Sequence, residues 1–119
     1  MLIDELISAE LAKQNDRFGD VSIRTDVASG ELMWAGMAQL DAEFDRQNGE
    51  PDPFAEAPEI YPANWRGFRD YGSTVANIVV AIAFLTQEGK RLLLNGADYT
   101  RTERTADQPL PAAMPALVA

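Results

Sequence analysis

The sequence predicts a small all-α protein: a bundle of three main helices plus a short one, with a proline-rich loop and an extended C-terminal tail. Three observations lead there. In three separate stretches apolar residues recur at intervals of three and four, the period of a helix rather than a strand. Those stretches are bounded by residues that start or stop helices. Between 49 and 64, Pro51, Pro53, Pro58 and Pro62 rule out a regular helix.

Residues 2–17 read as the first amphipathic helix. Leu2, Ile3, Leu6, Ile7 and Leu11 share a stripe, with Asp4, Glu5, Glu10 and Lys13 elsewhere on the wheel. Gly19 is its expected stop, and Phe18, Val21 and Ile23 are expected to anchor the link that follows. Residues 27–46 read as the second helix, capped by Thr25 or Asp26. Met33, Met37, Leu40 and Phe44 follow i, i+4, i+7, i+11 and are expected to line its buried face, widened by Val27, Trp34 and Ala38. Gly30 and Gly36 each cost about 1 kcal/mol relative to alanine inside a helix. Close packing on another helix explains them, or a break near Gly30. Asn48-Gly49 is the terminator.

After the proline-rich connection, a short helix is expected from Asn64. Residues 74–94 read as the central helix, capped by Ser73. Val75, Ile78, Val79, Ile82, Leu85 and Leu92 supply its stripe, and the run from Ile78 to Leu85 is apolar nearly all round, so burial on several sides is expected. A strand at Ile78-Val79-Val80 is the competing reading. The helical pattern runs too long for it and stops at Asn95-Gly96. The chain of 119 residues is thus one helical domain over 1–96. The tail over 97–119 carries Pro109, Pro111 and Pro115, and its Leu110, Met114, Leu117 and Val118 suit docking on a partner.

Composition narrows the chemistry. Without cysteine there are no disulfides, thiolate metal sites or thiol nucleophiles, which fits a reducing compartment. Without histidine the commonest base near neutral pH and the commonest transition-metal ligand are missing. Catalysis would have to use carboxylates, lysine, a hydroxyl or a hard cation such as magnesium. The net charge is −9, and all of it lies in residues 1–70, which hold 15 acids and 6 bases. Such a chain repels nucleic acid and anionic membranes, so direct binding to either is not expected. Met1 leads into Asp4 and Glu5 rather than a basic, then apolar leader, and a cytoplasmic protein is expected.

The acidic stretch from Asp41 to Glu59 is the first candidate site. Asp41, Glu43, Asp45, Glu50, Asp52, Glu56 and Glu59 stand against one base, Arg46. The plain reading is a solvated face. The functional reading is a ligand for a basic protein surface, because spaced carboxylates imitate DNA phosphates in a nucleic-acid groove. Phe54, Ile60 and Tyr61 add apolar anchors. Asp41 and Asp45, four apart, can share a cation, but a site needs three or more oxygens, and no metal is assigned. The segment from Trp65 to Tyr71 is the second candidate. Its plain reading is that Trp65 and Phe68 close the core while Arg66 and Arg69 pair with nearby acids. The sharper one is a stacking and cation–π platform for a nucleotide or partner. Lys90 and Arg91 suit the C-terminal end of the third helix dipole.

The order of these features resembles small phage-type helical proteins related to the MazG-like nucleotide pyrophosphohydrolases. Glu10-Leu11-Ala12-Lys13-Gln14 is similar to the E-x-x-[RK]-Q of that group, and Gly30-Glu31-Leu32 to its G-E-L segment. The Pro62 to Trp65 connection precedes an apolar helix ending in Glu88-Gly89-Lys90-Arg91-Leu92, similar to an E-x-x-R-L close. The likeness spans residues 7–92. It implies the helical fold and pairing of protomers, a homodimer that the apolar third helix would suit. Enzymes of that family carry E-E-x-x-E and E-x-x-D on successive helices to hold magnesium. Here only Glu31 stands in the first motif, and Val75, Ala76, Asn77 and Ile78 occupy the second. The resemblance therefore implies a retained fold with lost chemistry.

Two functions follow as expectations. The first is a non-catalytic, phage-type interaction protein without cofactor. It binds a basic surface, such as a nucleic-acid-binding protein of a host defence complex in the anti-CRISPR manner, through Asp41, Glu43, Asp45, Glu50, Asp52, Phe54, Glu56, Glu59, Trp65 and Arg69. The second is a divergent magnesium-dependent pyrophosphohydrolase using Glu31, with Asp41 or Asp70 as further ligands.

Overall fold

The computed structural model describes residues 2–18 and 30–107. Over them the chain is all-α: α1 is Ile3–Phe18, α2 is Glu31–Gln47 and α3 is Thr74–Leu94, with no strand among the described residues. The expected anchors Val21 and Ile23, the Gly19 stop and the caps Thr25 and Asp26 lie outside them, as does the tail beyond 107. Residues 97–107 form neither helix nor strand, and Tyr99 among them is highly exposed. No helix among the described residues is long and apolar enough to cross a membrane.

The helix ends follow local chemistry. The Ser73 hydroxyl accepts the Ala76 N–H at 3.1 Å, so the expected cap of α3 is in place. Both Asn-Gly pairs close their helices in the same way. The Gly49 N–H bonds to the Arg46 carbonyl and the Glu50 N–H to Asp45; Gly96 and Ala97 do the same with Leu93 and Leu92. Gly49 and Gly96 take φ of 81° and 95°, the left-handed conformation this motif needs. α2 starts at Glu31 rather than at 27. Gly30, at φ 90°, brings no side-chain cap of its own. Its N–H instead donates to the Glu88 carboxylate of α3 at 2.7 Å, which places a negative charge at the positive end of the α2 dipole.

α3 is central. α1 and α2 both pack on it and not on each other. Small residues let α2 approach α3: Gly36 lies against Ala81, Leu32 and Ala35 share a core cluster with Val80 and Phe84, and Ala38, Ala42 and Ala83 are also fully buried. A Cβ on Gly36 would lie 3.0 Å from the Ala81 carbonyl oxygen and 3.2 Å from Leu85 Cγ, so close packing explains this glycine. The expected stripe of Met33, Met37, Leu40 and Phe44 is not the buried face; all four are exposed. Residues 32, 35, 36, 39, 42 and 43 repeat with the same helical period. That face wins because it carries the small residues and the polar partners that α3 matches.

The short helix expected from Asn64 is absent. Only one turn forms there, Trp65 N–H to the Pro62 carbonyl at 3.1 Å, and Gly67 and Gly72 at φ of 92° and 104° take the chain out of helical geometry. The proline-rich connection is a chain of such turns, with Ala55 bonded to Asp52 and Tyr61 to Pro58. Its aromatic rings tie it down. Phe54 stacks on Phe68, Tyr61 meets the edges of Phe68 and Trp65, and Trp65 packs 6.1 Å from Phe84 of the core.

Gly36→Ala tests the helix seam. Helix propensity alone would favour it by about 1 kcal/mol. The backbone oxygen in its way makes the net effect a loss of about 1–2 kcal/mol, read as a lower urea midpoint by circular dichroism. A rise in the midpoint would mean the helices are farther apart than described.

Candidate functional site

The expected acidic surface divides in two. Glu43 is buried, not displayed, which corrects its assignment to a partner-binding face. Its Oε1 accepts from Asn77 Nδ2 at 3.0 Å and pairs with the Arg46 guanidinium. Its Oε2 accepts from Gln47 at 3.0 Å and from the Thr74 hydroxyl at 3.1 Å. Arg46 in turn reaches Asp70 at 2.7 Å.

Asn77, fully buried in α3, is the hub. Its amide donates to Glu43 and to Asp70 Oδ1, each at 3.0 Å. Its oxygen accepts from Gln39 at 2.7 Å and from the Tyr71 N–H at 2.9 Å. Gln39 continues to the Arg69 carbonyl, and the Gly72 N–H donates to Asp70. Burial pushes the Glu43 carboxyl upward, but the bonds from Gln47, Arg46, Asn77 and Thr74 outweigh it and hold the pKa at about 2. Asp70 is lowered too, chiefly by Asn77 and the Gly72 N–H. With both oxygens of Glu43 occupied and Arg46 balancing its charge, this cluster is built to hold elements together. The oxygens of Glu43 are fully engaged and leave it no lone pair poised to activate water.

The other acids are at the surface. Asp41, Glu50, Asp52, Glu56 and Glu59 are exposed and Asp45 is half-buried. Among the described residues none of the six has an ion-pair partner. Asp52 sits at φ 50°, a left-handed turn position that aspartate tolerates better than most residues. Phe54 and Trp65 belong to the aromatic cluster, and Arg46 also lies over the Phe54 ring at 5.1 Å. Trp65 and Phe68 close the core side of the loop, as the plain reading holds. Among the described residues neither Arg66 nor Arg69 makes the pairing with an acid that this reading expects. Arg69 bonds the Gly67 carbonyl and stacks on Tyr71. Arg66 lines an open cleft of about 470 Å³ with Tyr61, Pro62, Trp65 and Phe68. Arg91 is paired with Glu88 at 2.5 Å, a role beyond dipole matching.

The residues invoked for a magnesium site do not converge. Glu31 is buried at the start of α2, Asp41 is exposed, and ten residues of helix separate them by roughly 15 Å. Asp70 is committed to Arg46 and Asn77. No group of three or more acidic side chains among the described residues is arranged to hold a metal ion. Of this cluster the sequence offers Asp70 only as a metal ligand, and it does not single out Asn77 or Gln39 as site residues. The available signal was a polar residue, Asn77, inside the most apolar helix.

Protonating Glu43 should destabilise the fold. Its folded pKa is depressed, so its contribution is complete above the ordinary value of 4.5 and is lost as pH falls toward 2. Glu43→Gln should cost about 2–3 kcal/mol at neutral pH and flatten the acid limb of a stability–pH curve. An unchanged limb would show that another group governs acid unfolding. No protein-family model, curated protein or solved structure matches this chain.

Proposed function

We propose that the protein is a non-catalytic interaction protein that offers an acidic surface to a basic protein surface. The observation that supports this reading is the set of six carboxylates, Asp41, Asp45, Glu50, Asp52, Glu56 and Glu59, that have no ion-pair partner among the described residues. They run from the outer side of α2 into the loop, and the aromatic cluster holds that loop to the core, so the charges are displayed on a fixed frame. A rigid row of negative charge speeds encounter with a positive partner and selects against other anions. A nucleic-acid-binding protein, whose groove is positive, is the partner class this suits. A phage inhibitor of a host defence or nucleic-acid-handling complex is one form of it, acting in the cytoplasm.

Glu43 has no part in this surface, so the informative variant leaves it intact. Asp41→Lys combined with Asp45→Lys and Asp52→Lys should keep the helical signal and lose at least about tenfold in affinity for a basic partner captured from the native cell extract. Binding of the unmodified protein should weaken steeply with salt. Capture of no basic partner, or equal binding by the triple variant, would refute the reading.

A further inference from the structure

Arginines gather where the end of α1 meets the loop. Arg17 lies in the last turn of α1, and Arg66 and Arg69 stand close to Gly67 in the loop. A Cβ on Gly67 would lie 2.6 Å from Arg17 Nη2 and 3.0 Å from Arg69 Nη2. Two guanidiniums thus converge on one point from two different elements, and the bare backbone of Gly67, at φ 92°, makes room for them. Arg66 lines the adjoining cleft, to which Gly67 and Tyr61 also belong. All three arginines are exposed.

Like charges repel, and a chain of net charge −9 has ample carboxylates to set between them. For two of these three it does not use them. Among the described residues Arg66 and Arg69 pair with no acid. Asp70, the next residue, is turned to Arg46, Asn77 and the Gly72 N–H instead. Arg69 is held in place without being neutralised: its Nε donates to the Gly67 carbonyl at 3.0 Å, and its guanidinium lies 5.9 Å from the centre of the Tyr71 ring. The positive field reaches the nearby phenol. Burial and Tyr71 push the pKa of Tyr61 up, while the charges of Arg17 and Arg69 pull against that rise.

The α1 helix has use for a tie at this corner. Among the described elements it packs on α3, and that seam is incompletely bonded. Gln14 reaches the Val80 carbonyl at 3.5 Å, beyond the usual length of a hydrogen bond. The Oε1 atoms of Gln14 and Gln87 are buried with no partner among the described residues.

We propose that Arg17, Arg66 and Arg69 form a binding site for a phosphate-type oxyanion, which clasps the end of α1 to the loop. A tetrahedral anion has several oxygens, each able to accept from a different guanidinium, so it bridges donors that arrive from separate elements. A free phosphate ion and a phosphorylated side chain carry the same group. The site needs no metal ion and uses none of residues 31 and 75–78. It is independent of the acidic surface of α2 and the loop.

Inorganic phosphate is the probe, titrated into the full chain at constant ionic strength with chloride as the balancing anion. It should raise the thermal midpoint saturably, slow hydrogen exchange of the α1 amides and shift the NMR signals of the Arg17 and Arg69 Nε–H groups. Arg17→Gln and Arg69→Gln should each keep the helical signal and lose at least about tenfold in phosphate affinity. Lys90→Gln, at an exposed position of α3, should lose none. O-phosphoserine, titrated in parallel, separates the two sources: tighter binding than phosphate assigns the site to a phosphorylated side chain, weaker binding to the free ion. No saturable effect of either compound would overturn the proposal. So would equal losses in Lys90→Gln, which mark a general ionic effect, or full affinity in both arginine variants. Binding that leaves α1 exchange unchanged would overturn the clasp.

Discussion

The side-chain amide of Asn77 is the interaction on which the rest of this structure depends. A buried carboxamide is costly unless all its donors and acceptors are used, and here each is: two donors to Glu43 and Asp70, two acceptances from Gln39 and the Tyr71 backbone. Those four partners come from α2 and from both sides of the Asp70–Tyr71 bend. One side chain therefore fixes the rotation of α2 against α3 and pins the end of the loop. Gln39 and Glu43 can meet Asn77 only if the alanine and glycine face of α2 turns inward. The methionine stripe is then left outside.

This explains which parts of the fold were legible in the sequence. Helix ends were, because Ser73 and the two Asn-Gly pairs act within a few residues of themselves. The three helices were, since periodicity is a local property. The buried face of α2 was not, because two stripes of equal period compete and hydrophobicity alone favours the larger residues. The deciding contacts are made to residues 30 or more positions away. The missing short helix has a different cause: Trp65, Phe68 and Tyr71 have helical spacing, but Gly67 and Gly72 adopt a left-handed backbone that lets the rings face the core instead.

The candidate site was legible in part for the same reason. Charges count as surface by default, and for Asp41, Glu50, Asp52, Glu56 and Glu59 the default holds. Glu43 departs from it because Arg46, Asn77, Thr74 and Gln47 together replace the water it loses. Among the described residues the other six acids of this stretch have no ion-pair partner. They leave the molecule with a charged edge along α2 and the loop. A charged edge of this kind suits a fast, salt-sensitive encounter.

Hydrogen exchange at the Tyr71 amide tests the role of Asn77 most directly, since that N–H lies in a loop without helix or strand and is held only by the Asn77 oxygen. It should exchange as slowly as the core amides of α2 and α3, and the protection should vanish in Asn77→Ala along with much of the stability. Fast exchange at Tyr71 in the unmodified protein, matching the exposed segment 97–107 while the α2 and α3 amides stay protected, would show that the loop is held by its aromatic rings alone and that Asn77 is not the lock.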